Sequence, residues 1–146
     1  MKISIASDHG GYALKEELSA WLTSLGHQVE DFGCRGLDSC DYADFCEPAA
    51  LAVAEGKCDR GIVICTTGIG ASITANKVKG VRCALCGEPW SAQMTRRHND
   101  ANVLALGAGT TGFLMAQQIV ESFLMYDFEG GRHQRRIDKI AAIENR

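Results

Sequence analysis

An α/β fold is predicted: three layers (α/β/α) around a five-stranded parallel sheet, as one domain spanning residues 1–146. Three observations carry it. Strand and helix patterns alternate from end to end, as in a parallel sheet whose crossovers are helical. The third strand candidate is apolar without a break from Ile62 to Ile64, which suits a strand covered on both faces. Gly26, Gly56, Gly80 and Gly107 punctuate the units where helices stop or turns begin.

The first strand is read over Lys2–Ser7, where Ile3-Ser4-Ile5-Ala6 leads into Asp8-His9. A helix follows over Tyr12–Leu25, with Leu14, Leu18, Trp21, Leu22 and Leu25 at helical spacing as a core-facing stripe. The second strand is Gln28–Phe32 and the second helix Ala43–Glu55. Between them, Gly33–Asp41 is the one irregular stretch long enough to be a functional loop. The third unit is strand Gly61–Cys65 and helix Ala71–Val78, and the fourth is strand Arg82–Cys86 and helix Pro89–Arg97. Strand Val103–Leu106 precedes helix Thr111–Tyr126, with Leu114, Ile119, Phe123 and Leu124 as its stripe, and a last helix covers His133–Glu144.

Composition narrows the function. A hydrophobic fraction of 46% with 23% charged residues is ordinary for a globular protein. A net charge of −3 argues against a general nucleic-acid binder or an anionic-membrane binder. No run approaches the length of a membrane span, and no export leader is expected where a strand pattern starts at once. The seven cysteines are odd in number and scattered, so they read as reduced cytoplasmic thiols. Cys83-Ala84-Leu85-Cys86 has redox or zinc spacing, but residues three apart on a strand face opposite sides and no second such pair exists.

The densest chemistry follows the third strand. Cys65 ends it, and Thr66-Thr67-Gly68-Ile69-Gly70 forms a loop into a helix. Ligands of parallel sheets bind beyond the carboxyl ends of the strands. There the loop is expected to offer unshielded N–H groups, to attract negative charge and to favour the Cys65 thiolate. A phosphatase reading needs an arginine six residues after the cysteine, where Ala71 stands. Gly68-Ile69-Gly70-Ala71-Ser72-Ile73 lacks the third glycine of a dinucleotide loop, and no Gly-Lys-Ser/Thr follows for a nucleoside triphosphate.

Three further segments bear on a site. Asp8 and His9 fall at the same sheet edge, either to hold ligand hydroxyls or, for Asp8, to cap the first helix. His98 follows Arg96-Arg97, whose charges suit a helix C-terminus without any ligand. An imidazole there could serve as acid or base. Arg132 and Arg136 open the last helix, where cations oppose the dipole unless an anion or solvent compensates.

Ser7-Asp8-His9-Gly10-Gly11, Asp41-Tyr42, Cys65-Thr66-Thr67-Gly68-Ile69-Gly70, Ala75-Asn76-Lys77, Arg97-His98-Asn99-Asp100 and Glu129-Gly130-Gly131-Arg132-His133 occur in this order. Together they resemble the ribose-5-phosphate isomerase B family, which includes the galactose-6-phosphate isomerase subunits. The resemblance covers essentially the whole chain. It implies a Rossmann-like domain, a homodimer or homotetramer with shared active sites, and aldose–ketose isomerisation of a sugar phosphate with no metal or cofactor. The resemblance makes Cys65 the base that moves the proton between C1 and C2, with Thr67 and His98 assisting proton shuttling and ring opening. Asp8, His9, Tyr42 and Asn99 would hold the sugar, the loop from Thr66 through Gly68, Ile69 and Gly70 the enediolate, and Arg132 and Arg136 the phosphate.

Two departures bear on the substrate. Thr66 stands where the family loop usually has glycine, and Gly109 where an arginine commonly helps to hold phosphate. Six-carbon sugar phosphates and unphosphorylated uronates therefore stand beside ribose 5-phosphate. A sugar-binding module without catalysis and a redox-sensing thiol protein are the other readings, the first weakened by the presence of both Cys65 and His98.

Overall fold

The computed structural model covers residues 1–146. Its elements run β1 (Lys2–Ser7), α1 (Tyr12–Ser24), β2 (Gln28–Asp31), α2 (Tyr42–Ala54), β3 (Arg60–Cys65) and α3 (Ile69–Ala75). They continue with β4 (Cys83–Leu85), α4 (Pro89–Asn99), β5 (Val103–Gly107), α5 (Phe113–Met125) and α6 (Arg132–Glu144). The five strands form one sheet in the order β2-β1-β3-β5-β4, and every pair is parallel. No helix is long and apolar enough to cross a membrane.

Strand polarity divides the core. One face of the sheet packs Ile3, Ile5, Ile62, Ile64, Leu104 and Leu106 against α1 and α5. The other packs Ala6, Val63, Cys65, Val103 and Ala105 against the small residues of α2 and α3. Alternate residues of β1, β3 and β5 thus belong to opposite faces, as strand periodicity requires. The same rule separates Cys83 from Cys86. Cys83 packs with the α2/α3 cluster and Cys86 with the α1/α5 cluster, so they form no chelate or redox pair.

The expected elements all form, with shifted ends. α3 starts two residues before the predicted Ala71 because Gly68 already adopts a left-handed turn and its carbonyl accepts from Ser72 N–H at 3.0 Å. It stops before the predicted Val78. Asn76 beyond it uses its side-chain amide to donate to Cys83 O and accept from Cys83 N–H, sealing part of the free edge of β4. Two stripe residues are corrections. Leu25 is 56% exposed because it lies past the end of α1, and Leu114 is 76% exposed because α5 buries Ala116, Ile119, Val120 and Phe123 instead.

Strand order turns at β1. One crossover runs outward to β2 and the other to β3, which makes the β1/β3 seam a topological switch point. The seam is tight there, and Asp8 N–H donates to Ile64 O at 3.3 Å.

Candidate active site

At the carboxyl end of that seam lies a cleft of about 410 Å³ lined by Asp8, Tyr42, Cys65, Thr66, Thr67, Ile69, Gly70 and Ile73. A larger groove of about 690 Å³ lies elsewhere, between α6 and the β4 edge, and holds Asn99. Cys65 is buried at the cleft floor, and its Sγ accepts the N–H of Gly68 at 3.2 Å. The contact depends on Gly68, which sits at φ +76°. A Cβ there would lie 2.5 Å from Leu85 Cδ1 and 2.8 Å from the backbone carbon of Leu106. Gly68→Ala is therefore expected to cost about 3 kcal/mol from the left-handed backbone and overpacking together, measurable by denaturant unfolding.

The loop is less open than its sequence implies. Of the N–H groups expected to stand free, that of Gly68 faces the thiol and that of Ile69 donates to Thr67 Oγ1 at 3.2 Å. The two bonds fix the thiol and the Thr67 hydroxyl on one rigid turn. Thr66 is accommodated without left-handed backbone, since Asp100 is the only non-glycine residue with positive φ. Its side chain fills space left by two glycines. A Cβ on Gly10 would meet Thr66 Oγ1 at 2.3 Å, and one on Gly109 would meet Thr66 O at 3.0 Å and Cγ2 at 3.1 Å. Thr66 and Gly109 are thus neighbours across the loop, joined by Gly109 N–H donating to Thr66 O at 2.8 Å.

Asp8 is not the cap of α1, whose N-cap is Gly11 without a side-chain cap bond, but it orders the turn just ahead of it. One carboxylate oxygen accepts from Gly11 N–H at 3.1 Å, ordering the turn before α1, and the residue also lines the cleft. His9 faces the Gly33–Asp41 loop, where its Nδ1 pairs with Cys40 N–H at 3.2 Å. Asp31 anchors that loop, accepting from Gly33 N–H at 2.8 Å and pairing with Arg35 and with the fully buried Lys15. Tyr42, the first residue of α2, lays its ring over Gly70, where a Cβ would come within 2.5 Å of it. Beneath the cleft, burial above all, with the nearby Cys65 and Asp8, pushes the Cys46 thiol up to about 12. Cys46 stays protonated at neutral pH and does not compete as a base.

The remaining predicted residues lie at the other edge of the sheet. α4 runs back from the carboxyl end of β4, so His98 and Asn99 arrive just before the amino end of β5. The connections confirm the edge. Arg82 Nε, ahead of β4, donates to Asn99 O at 2.9 Å, and Gly61 N–H at the start of β3 donates to Asn102 O at 3.0 Å. Cys65 pairs in register with Gly107 at the far end of β5. The length of β5, roughly 13 Å at 3.3 Å per residue, separates the two groups.

α5 also ends at the amino edge, so α6 starts there beside His98. Arg132 and Arg136 are exposed, four apart on α6, and neither is in an ion pair. By contrast Arg96 and Arg97 serve structure. Arg96 bonds Ala101 O, Tyr126 O and Asp100, and Arg97 pairs with Glu129. Glu129 and His133, given no role from sequence, close on His98. Their four-residue spacing across the start of α6 was the available signal, hidden by the intervening glycines.

A thiol that accepts the Gly68 N–H at the switch point, with hydroxyl and carboxylate neighbours, defines a site for proton transfer on a small polar substrate. The ribose/galactose isomerase family model matches residues 3–140. The chain is 48% identical to ribose-5-phosphate isomerase B of Escherichia coli, covering 99% of this chain and 97% of that one. It superposes on ribose-5-phosphate isomerase B of Clostridium thermocellum with a TM-score of 0.98 at 53% identity, covering 99% and 98%. The Mycoplasma genitalium ribose-5-phosphate isomerase B with bound ribulose-5-phosphate matches at a TM-score of 0.95 and 44% identity, covering 99% and 96%. The chain belongs to the ribose/galactose isomerase family.

Proposed function

We propose that this chain interconverts ribose 5-phosphate and ribulose 5-phosphate through an enediolate, using neither metal nor cofactor. The observation that carries this is the Cys65 thiol on the cleft floor with the Gly68 N–H aimed at its sulfur. The Cys65 thiolate takes the proton from C2 of the open-chain aldose, and the electron pair forms the C1–C2 double bond. The oxygen on C1 gains a proton, which the Thr67 hydroxyl of the cleft wall carries. The Cys65 thiol then returns its proton to C1 while the oxygen on C2 loses one, leaving the ketose. Charge on the enediolate oxygens is met by the dipole at the start of α3 and by the 66–70 loop. Asp8, His9 and Tyr42 line the path of the sugar hydroxyls.

His98, Asn99, Arg132 and Arg136 complete the site from a second copy. The topology that puts them at the opposite edge supports this reading, as does the apolar rim of the cleft. Tyr42, Ile69, Ile73 and Leu85 are all more than 40% exposed there, in position for a second copy to cover. A homodimer, or a homotetramer built from such dimers, follows, working among reduced thiols in the cytoplasm. The partner's His98 opens the sugar ring, and its Arg132 and Arg136 hold the phosphate.

The test is an isomerase assay of the single purified chain across ribose 5-phosphate, allose 6-phosphate, galactose 6-phosphate and an unsaturated uronate. Ribose 5-phosphate is expected to give the highest kcat/KM, and no turnover on any of them would contradict the proposal. Arg132→Ala is expected to raise KM roughly tenfold or more with a smaller change in kcat, since it removes a charge-assisted contact made equally in ground and transition states. An unchanged KM would show that no phosphate is held there.

A further inference from the structure

We infer that His133 and Glu129 are positioning residues for His98, and that they keep the single proton which two stacked imidazoles can share on the His98 ring. The inference rests on the reading of His98 as the group that opens the sugar ring. The two rings lie 4.2 Å apart between centroids and within 10° of parallel. The Nε2 atoms of both face one oxygen of Glu129, at 4.0 Å from His98 and 3.6 Å from His133. That carboxylate is itself fixed. Its other oxygen is held by the Arg97 guanidinium, and Glu129 N–H donates to Arg97 O at 3.0 Å.

Two imidazolium ions in this stack would repel, so the pair holds one proton at a time. The asymmetry between the rings decides where it resides. His133 is buried, with 7% of its side chain exposed, whereas 38% of His98 is exposed. Burial first, then His98, Arg132 and Arg136, holds His133 below the usual histidine range against the opposing pull of Glu129. Glu129 from the α5–α6 segment, Arg97 from α4, and Arg132 and Arg136 from α6 are the charges around the pair. His98 is the more exposed ring and faces outward, as an acid for the ring oxygen of a cyclic aldose must. Arg97 already neutralises Glu129. The trio thus suits proton placement better than cation binding.

The substrate pair allows a direct test. A five-carbon 2-ketose phosphorylated on O5 has no hydroxyl placed to close a ring, while the aldose closes through its C4 hydroxyl. Exchange of the ketose C1 proton with deuterated water therefore needs the base but not ring opening. In His133→Phe, which keeps a flat ring, and in Glu129→Gln, aldose turnover is expected to fall roughly tenfold or more. Exchange into the ketose, followed by proton NMR, should stay within about twofold of the unsubstituted protein, because the Cys65 chemistry is untouched. Wild-type turnover in His133→Phe would reduce His133 to packing and overturn the inference, as would turnover and exchange falling together in both variants. If Glu129→Gln fails to fold, His133→Phe decides alone. His98→Asn separates the two levels. Unimpaired aldose turnover in that variant sinks the reading of His98 itself, whereas slow turnover there with normal turnover in the other two sinks only the positioning roles.

Discussion

Cys65→Ala is expected to reduce turnover by roughly a thousandfold or more while leaving the fold intact. The thiol at the cleft floor is the proposed base. Asp8 has one oxygen committed to Gly11 N–H, and Cys46 is kept protonated with its thiol pushed up to about 12. The packing cost is small, because the sulfur is a short side chain among Ala6, Ala71 and other small residues of the α2/α3 face. Substrate binding should survive, since the proposed anion anchors and sugar contacts lie on other elements. The measurements are steady-state turnover and deuterium exchange into the ketose, with unfolding as a control. Near-normal exchange in this variant would place the base elsewhere.

Much of the fold was legible because each element satisfies its own local rule. The apolar run Ile62–Ile64 forms the central strand, and Cys65 and Asp8 sit together at the carboxyl edge as their positions after two strands require. Arg132 and Arg136 open α6 exposed and outside any ion pair. What local pattern missed were effects of tertiary contact. The seal of Asn76 on Cys83 ends α3 early, and the exposure of Leu114 depends on which face of α5 meets the sheet. The glycine loop is less open than its sequence implies, since Gly68 and Ile69 direct their N–H groups at Cys65 and Thr67.

The separation of the predicted site residues to opposite sheet edges was within reach of the sequence. A helix that precedes a parallel strand ends at that strand's amino edge, so His98 and Asn99, just ahead of β5, belong opposite Cys65. The resemblance gathers these residues into one site without saying which copy supplies each. Glu129 and His133 carry no role in the sequence reading for a different reason. Gly130 and Gly131 lie between them, and only the turn these glycines make, with φ of +65° and +57°, brings the carboxylate back over the first turn of α6.

Complementation is the second large effect, and it follows from that division. Cys65→Ala lacks the proposed base and His98→Asn the proposed ring-opening group, so each variant alone is expected to be nearly inactive on the cyclic aldose. In a mixed dimer, one site takes both defects and the other takes Cys65 from one chain and His98 from the other, and so is whole. With subunits exchanged at random from equal amounts, half of the dimers are mixed and half of their sites intact. The mixture should then recover about one quarter of the activity of the unsubstituted protein, as isologous two-fold pairing requires. The measurement is aldose turnover after the two purified variants are unfolded together and refolded, against each refolded alone. Recovery to about that level is the expected result for an isomerase whose site spans two copies. A mixture no more active than its separate components would contradict it.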